Sequence, residues 1–249
     1  VPKSLRILVT RPSPYNEELC QLLRTNGYNP IALPVITLNK WLAASTLQQL
    51  KQRTSYHWLI FISQAAVLYG LELATTYCGS ITTNYNIAAI GATTATALQQ
   101  AGYQHILYPQ QWSSEGLLAL SPLKQVRQQS IAIFCGRNTN DLLAITLRAR
   151  GAQVSLLPVY QRQLTTVDIT SYQYLLANNL IDVIMATSVE ILTGLQQLFA
   201  STPQLKHLPL LVTSQRIMLA ATMQGFNNCL LVADASSNNI LQGLQQLRS

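Results

Sequence analysis

The sequence predicts an α/β protein of two similar domains, each a parallel sheet flanked by helices, facing one another across a cleft. Three observations predict it. Short β-rich runs alternate with amphipathic stretches along the whole chain, the pattern of parallel strands joined by helical crossovers. The chain also repeats itself at a spacing of 124 residues, with Gly27 matched by Gly151 and Pro34 by Pro158. A repeat this long marks a duplicated domain rather than a solenoid unit, and clefts between domains are where small ligands usually bind. Finally, 249 residues with 49% hydrophobic content suffice for two cores.

The first copy opens with the strand Arg6–Val9, followed by a helical pattern over Glu17–Thr25, Gly27, and a strand over Tyr28–Leu33. Helix Leu47–Gln52, strand His57–Ile62, helix Ala65–Tyr77, strand Asn86–Ile90, helix Thr93–Ala101 and strand His105–Tyr108 continue it. After a helix at Ser114–Leu120, the second copy repeats the order: strand Ser130–Phe134, helix Leu142–Arg150, Gly151, strand Gln153–Pro158. Strand Val183–Ala186, helix Val189–Phe199, strand Leu210–Thr213, helix Arg216–Gln224, strand Cys229–Val232 and helix Asn239–Leu247 complete it. Gly27, Gly102, Gly151 and Gly225 each follow a helical stretch, where a left-handed closing residue is needed. Paired glutamines such as Gln48-Gln49 and Gln245-Gln246 stand beside leucines and read as solvated helix faces.

Six strands run into small or hydroxyl-bearing turns that open helices: Thr10-Arg11-Pro12-Ser13, Ser63-Gln64, Gly91-Ala92-Thr93-Thr94, Cys135 to Asn140, Thr187-Ser188 and Thr213-Ser214-Gln215-Arg216. Such residues cap helices, and the exposed N–H groups with the helix dipole attract anions. In a wound parallel sheet these turns line the carboxyl edge, the usual ligand edge. Each turn alone is an ordinary cap; six of them across both copies point to a shared ligand edge.

Composition excludes several classes. The net charge of +7, from 16 basic and 9 acidic residues, favours anionic partners, but the basic residues are scattered and form no nucleic-acid patch. No apolar run approaches a membrane span, so no membrane association is expected. Val1 to Arg6 lead straight into a strand, so no signal peptide is expected. Cys20, Cys78, Cys135 and Cys229 lie far apart beside apolar residues and read as buried free thiols of a reducing compartment, the cytoplasm. His57, His105 and His207 have no metal-ligand spacing; His57 and His105 begin apolar strands and read as structural. No dinucleotide or phosphate-binding glycine loop and no nucleophile elbow occurs. Glu17 and Glu18, about 100° apart on a helix, cannot share a proton and fit a solvated first turn. No metal and no cofactor is expected. An enzyme of this composition works by holding a reactive substrate in one shape.

The stretches Ile7-Leu8-Val9-Thr10-Arg11-Pro12, Leu107-Tyr108-Pro109, Ser114-Glu115-Gly116-Leu117-Leu118, Val159-Tyr160-Gln161-Arg162, Thr187-Ser188 and Ser214-Gln215-Arg216 with Ala220 and Gly225 resemble, in order and across essentially the whole chain, the uroporphyrinogen-III synthase family. One turn departs from it. Many bacterial members carry an Arg-Gly-x-Gly-Gly-Arg type turn where this chain has Cys135-Gly136-Arg137-Asn138-Thr139-Asn140; only Gly136 is retained, and Arg137 is the residue able to compensate. The resemblance also implies interleaved domains. Residues 1–36 with 162–249 would form one and 37–161 the other, joined by a two-stranded linker near 34–38 and 158–162. The repeat alone would instead suggest a cut near residue 127.

The resemblance implies an activity: a cofactor-independent hydro-lyase that cyclises hydroxymethylbilane to uroporphyrinogen III, inverting ring D and losing water. The same substrate closes spontaneously to the symmetrical isomer, so selectivity is the main requirement. A proton donor helps the ring A hydroxyl leave, the substituted carbon of ring D attacks, and a spiro intermediate breaks and recloses. Tyr160 is the expected donor, a phenol looking into the cleft from a linker. The substrate's eight carboxylates would be held by Arg11, Ser63, Gly91, Thr94, Ser114, Gly136, Arg137, Ser188 and Ser214 and the backbone N–H groups of their turns. A monomer is expected, since nothing resembles a long apolar interface helix, with a transient contact to the preceding enzyme of the pathway. Two rival readings share the fold class: a non-catalytic two-domain module binding small anions, and a two-domain glycosyltransferase, which needs a nucleotide-sugar site not found in the sequence.

Overall fold

Strands form where β-branched and aliphatic residues run without polar interruption, and helices where apolar residues recur on one face. A computed structural model describes residues 4–51, 56–79 and 85–247, without the side chain of Cys78. Its elements, in order, are β1 (Arg6–Val9), α1 (Tyr15–Thr25), β2 (Asn29–Ala32), β3 (Ile36–Lys40), α2 (Ala44–Lys51), β4 (Trp58–Phe61), α3 (Gln64–Cys78), β5 (Asn86–Ala89), α4 (Ala92–Gln100), α5 (Ser114–Ala119), α6 (Ser121–Lys124) and β6 (Ser130–Gly136). There follow α7 (Leu142–Ala149), β7 (Gln153–Leu164), α8 (Thr170–Ala177), β8 (Val183–Ala186), α9 (Val189–Leu198), a 3-10 helix (Pro203–His207), β9 (Leu210–Val212), α10 (Gln215–Met223), β10 (Cys229–Leu231) and α11 (Ser237–Gln246). None of the described helices is long and apolar enough to cross a membrane.

The chain divides into two compact units, one of residues up to Thr37 together with those from Gln163, the other Leu38–Arg162. It therefore passes between units twice, once within β3 and once within β7.

Unit 1 holds a five-stranded sheet of order β10-β9-β8-β1-β2, with every neighbouring pair parallel. Alternation along each strand feeds two cores. Ile7, Val9, Val183 and Met185 pack with Leu19 and Leu23 of α1 and Ile240 and Leu244 of α11. Leu8, Ile184 and Ala186 pack on the opposite face with Leu192 and Leu195 of α9 and Ile217 of α10. A parallel sheet covered on both faces reads as continuous apolar runs, which is why β8 is buried at all four positions. At the amino edge, Arg6 forms a bidentate pair with Asp182, with Nε–Oδ2 and Nη2–Oδ1 both at 3.0 Å.

Unit 2 has the order β3-β7-β6-β4-β5, parallel from β7 to β5. Leu59, Phe61, Ala132 and Phe134 face α3 and α4, with Phe61 and Phe134 stacked at 4.4 Å between centroids. Ile60, Ile131 and Ile133 face α5, α6 and α7. At the amino edge His57 Nδ1 accepts a bond from Ser130 N at 3.1 Å, the structural role expected of it.

Gly27 and Gly151, the repeated pair, sit at φ +76° and +86°, the left-handed region where a side chain is disfavoured. Several elements differ from expectation. His105–Tyr108 is not a strand; a single bridge joins Leu107 to Ala88, because His105 at φ +54° breaks the extended run just before it. β7 does not stop at Pro158. The pairing with β6 slips between Cys135 and Gly136, so that Cys135 faces Pro158 and Gly136 faces Tyr160. A bulge of this kind accommodates a residue with no N–H. β3 overlaps the extended crossing expected near 34–38 and runs on to Lys40, while α6, α8 and the 3-10 helix were not expected. α8 (Thr-Ser-Tyr-Gln-Tyr-Leu-Leu-Ala) has little apolar periodicity, and its entry is set instead by Asp168, whose Oδ1 accepts from Thr170 N and Oγ1. Cys20 and Cys135 are buried and Cys229 half-buried, all as free thiols, while the expectations for the Cys78 side chain and for Gln52 lie outside the described residues.

Candidate functional site

The carboxyl edge of the unit 2 sheet gathers seven of the expected residues: Ser63 after β4, Gly91 and Thr94 after β5, Ser114 on α5, Gly136 and Arg137 after β6, and Tyr160 on β7. Ser63 takes an extended backbone and caps α3, its Oγ accepting from Ala66 N at 3.0 Å. The same Oγ lies 3.1 Å from the Tyr160 hydroxyl. Tyr160 lies on β7, the strand in which the chain crosses between units, and is only 3% exposed. Its ring stacks on Tyr69 at 6.1 Å and 26°. Gly136 makes room for it: a Cβ there would stand 3.0 Å from the Tyr160 Cζ and 3.2 Å from its hydroxyl. The phenol is thus held by a strand, a stacked ring, a glycine and a capping serine.

Arg137 stands beside this group. Its backbone N donates to Tyr160 O at 2.8 Å. Its guanidinium lies 4.1 Å from the centroid of the Trp41 ring and its Nη1 donates to Gln161 Oε1 at 3.4 Å. The Arg162 guanidinium lies 5.9 Å from the Tyr160 ring centroid.

The other unit 2 candidates have local reasons for being what they are. Gly91 is required by Trp112, whose Cβ would stand 2.8 Å from a Cβ at position 91. Thr94 is buried within α4. Ser114 does not cap α5; Ser113 does, accepting from Gly116 N at 3.0 Å. Ser114 instead lines a small apolar pocket with Ile62, Ile90, Ile133 and Leu143, rimmed by Thr139 and Asn140. Asn140 Oδ1 accepts from Leu142 N at 2.8 Å, so its oxygen serves the start of α7.

The unit 1 edge carries Arg11, Ser188 and Ser214. Ser188 and Ser214 cap α9 and α10, accepting from Ile191 N at 3.1 Å and Ile217 N at 3.4 Å. Arg11 donates to Ala235 O. Burial pulls its pKa down, opposed by the charges of Glu18 and Asp234. Asp234 is in turn held below the usual carboxylate range by its bond from Ser236. Thr10 is buried and donates to Met185 O at 2.5 Å. These turns begin helices as expected, although α1 starts at Tyr15, two residues before the expected Glu17, and with no side-chain cap.

Trp41, Tyr69 and Gln161 were missed. Gln161 stood inside the Val159 to Arg162 motif, a signal that was available. Trp41 and Tyr69 reach the site only through sheet order and stacking, which no local pattern encodes.

Comparison with known proteins matches this arrangement to one family. A family model described as uroporphyrinogen-III synthase HemD matches residues 17–241. The uroporphyrinogen-III synthase of Escherichia coli is 32% identical over 97% of this chain and 100% of its own length. That of Salmonella typhimurium is 31% identical over 97% and 100%. Among solved structures, the fold is shared with a mutant uroporphyrinogen III synthase of Thermus thermophilus, at TM-score 0.63 and 19% identity over 98% of both chains. It is shared also with the Helicobacter pylori synthetase, at TM-score 0.64 and 15% identity over 98% of this chain and 100% of that one. With a family model spanning most of its length and full-length relatives at about one-third identity, the chain belongs to the uroporphyrinogen-III synthase family.

Proposed function

We propose that in this uroporphyrinogen-III synthase the carboxyl edge of unit 2 carries the chemistry, with Tyr160 as proton donor and Ser63 as its partner. The reaction is the cofactor-independent cyclisation of hydroxymethylbilane, a linear tetrapyrrole, to uroporphyrinogen III with loss of water and inversion of ring D. The hydroxyl on ring A leaves as water, and the electron-poor carbon left behind is attacked by the substituted carbon of ring D. The resulting spiro intermediate opens and recloses with ring D turned over. Unassisted closure is already facile, so discrimination between two competing transition states is the task, and each ~1.4 kcal/mol of difference is tenfold.

The observation that carries the reading is the Tyr160–Ser63 hydroxyl pair. A hydroxyl has one proton and two acceptor sites. Ser63 Oγ already accepts from Ala66 N, so it is free to donate its own proton to the phenol oxygen. In that arrangement the phenol proton points away from Ser63, available to the departing hydroxyl. The phenolate that forms keeps the Ser63 bond and lies near the positive end of the α3 dipole. With Tyr160 only 3% exposed, the side chains over the ring must part before it meets the substrate. Gly136 keeps the ring in register, and the turns at Gly91, Thr94, Ser114 and Arg137, with Arg11, Ser188 and Ser214 of unit 1, supply carboxylate contacts. The compact units serve as domains. The chain acts as a cytoplasmic monomer that meets the preceding enzyme of the pathway transiently.

The test mixes the purified chain with fresh hydroxymethylbilane, oxidises the products and separates the porphyrin isomers. The type III isomer in excess is expected. Only the symmetrical isomer, with bound but unturned substrate, would assign the chain to a non-catalytic binder.

A further inference from the structure

We infer that Trp41 and Arg137 together form a carboxylate-binding platform for the substrate, the indole face holding the guanidinium still while its N–H groups take one acetate or propionate arm. This rests on the proposed function and adds a positioning residue, Trp41, to it.

Both residues hang from the strand that bears the proposed donor. Trp41 N donates to Val159 O at 2.9 Å and Arg137 N donates to Tyr160 O at 2.8 Å. Consecutive residues of β7 therefore fix the two backbones, and the guanidinium carbon lies over the Trp41 ring, 4.1 Å from its centroid. That is well inside the range of a cation–π contact, and a planar guanidinium stacks on an indole where an ammonium would not.

What distinguishes Arg137 is an indole ring under a guanidinium whose donors stay largely unused. The other guanidiniums with clear partners are spoken for: Arg6 by Asp182, Arg11 by Ala235 O, Arg148 by Val154 O, and Arg150 by Leu118 O and Leu123 O. Arg137 is exposed, and its one side-chain bond, at 3.4 Å, goes to the neutral amide of Gln161. Among the described residues it forms no ion pair. A guanidinium offers five donors in a fork that matches a carboxylate. Arg137 is thus a pre-oriented cation with unused donors, its backbone bonded to the residue that bears the proposed donor hydroxyl, in an enzyme whose substrate carries eight carboxylates. Asn140, in the same turn, is neutral and has its oxygen committed to the start of α7, so Arg137 is the turn's cation.

The experiment measures KM and kcat on hydroxymethylbilane for the full chain and for Arg137→Gln, Trp41→Leu, Trp41→Phe and both double variants, with thermal midpoints alongside. Arg137→Gln is expected to raise KM about tenfold, the effect of losing one charge-assisted bond, with kcat within about twofold. Trp41→Leu is expected to raise KM about three- to fivefold and Trp41→Phe about twofold, following the strength of the ring face. In the Arg137→Gln background neither change at position 41 adds anything further. Equal effects at position 41 with and without Arg137, or an unchanged KM in Arg137→Gln, would overturn the platform. Should Trp41→Leu fail to fold, the Trp41→Phe pair decides by the same criterion. A wild-type chain that makes only the symmetrical isomer would overturn the function and the platform together. Type III product with a flat KM series would overturn the platform alone.

Discussion

The two units are built on one plan and equipped differently. Reading β1 onto β6 and β2 onto β7, unit 1 runs β2-β1-β8-β9-β10 and unit 2 runs β7-β6-β4-β5 with the Leu107 bridge in the last place. Each unit takes its strands from both copies of the repeat: β1 and β2 from the first with β8 to β10 from the second in unit 1, the complementary halves in unit 2. At equal positions the side chains diverge. The spacing of 124 residues sets Ile36 against Tyr160 and Arg11 against Cys135. Ser188 of unit 1 caps its helix as Ser63 of unit 2 does, but only Ser63 also meets a phenol hydroxyl. Arg11 has turned its charge onto the carbonyl of Ala235, while Arg137 presents one. The common plan provides helix-capping edges; on the proposed reading the chemistry comes from a few substitutions on one of them.

The sharpest way to break this comparison is to make unit 2 resemble unit 1. Tyr160→Phe keeps the ring, its stack on Tyr69 and its seat against Gly136, and removes only the proton. A general acid contributes ~10²–10⁴-fold, so kcat should fall by about 10² with the isomer made by the enzyme unchanged. A single-turnover assay corrected for spontaneous closure measures it, and undiminished kcat would remove Tyr160 from the chemistry.

Ser63→Ala and Ser188→Ala form the next pair. Each loses a cap worth about 1 kcal/mol, read from thermal or denaturant unfolding. Only Ser63→Ala also withdraws a bond to a developing phenolate, for which about tenfold in kcat is expected, since bonds to charged groups are worth about 1.5–3 kcal/mol. Ser188→Ala should act on KM alone. Equal kcat losses in both would erase the asymmetry between the units.

Much of this plan was legible in the sequence and some was not. The apolar runs at Ile7-Leu8-Val9 and Ile131-Ala132-Ile133 announce buried strands because a parallel sheet covered on both faces tolerates no polar residue. The serines at 63, 188 and 214 announce helix starts because a hydroxyl is what an open helix end needs. Tyr160 drew notice only through the Val-Tyr-Gln-Arg motif, and its burial did not show, since a bulge opposite Pro158 decides which way it points. Trp41 left no trace; its role arises from sheet neighbours far apart in sequence. Gly91 drew notice as a ligand turn; that it also seats Trp112 is a packing fact that composition cannot carry.

Smaller effects come from the glycines. A Cβ at Gly136 forces the Tyr160 ring to give by a few tenths of an ångström. Misplacement by 1 Å can cost about 10²-fold, so Gly136→Ala should lower kcat about three- to fivefold. Gly194→Ala in unit 1 places a Cβ 2.6 Å from Val35 Cγ1, a worse clash in a place with no reacting group. It should cost about 1–3 kcal/mol of stability with kcat per folded molecule unchanged. If Gly194→Ala slowed turnover as Gly136→Ala does, tight packing anywhere would matter equally and the special standing of unit 2 would fail.

The pair Arg11 and Cys135 gives the smallest effect and a test by pH. Cys135 is fully buried, and burial, with a further push from the charge of Asp141, raises its thiol to about 12. Because the folded value lies above the unfolded one, the thiol's contribution to stability is fully present below about pH 9, where unfolded thiols begin to ionise. It is lost as pH rises from there towards about 12. The unfolded chain gives up its proton in that window while the folded chain keeps it. Arg11, the matching residue of unit 1, is shifted the other way by burial and adds no alkaline slope in the same window, since guanidinium stays protonated there. Cys20 and Cys229 are also raised by burial, so some slope persists without Cys135. Cys135→Ala should therefore be less stable than the wild type at pH 7 by a cavity term, yet lose less stability between about pH 9 and 11. Denaturant midpoints at matched ionic strength would show the two curves converging; parallel curves would mean that Cys135 is not sealed from water, and that the turn bearing Gly136 and Arg137 is looser than its counterpart at Arg11.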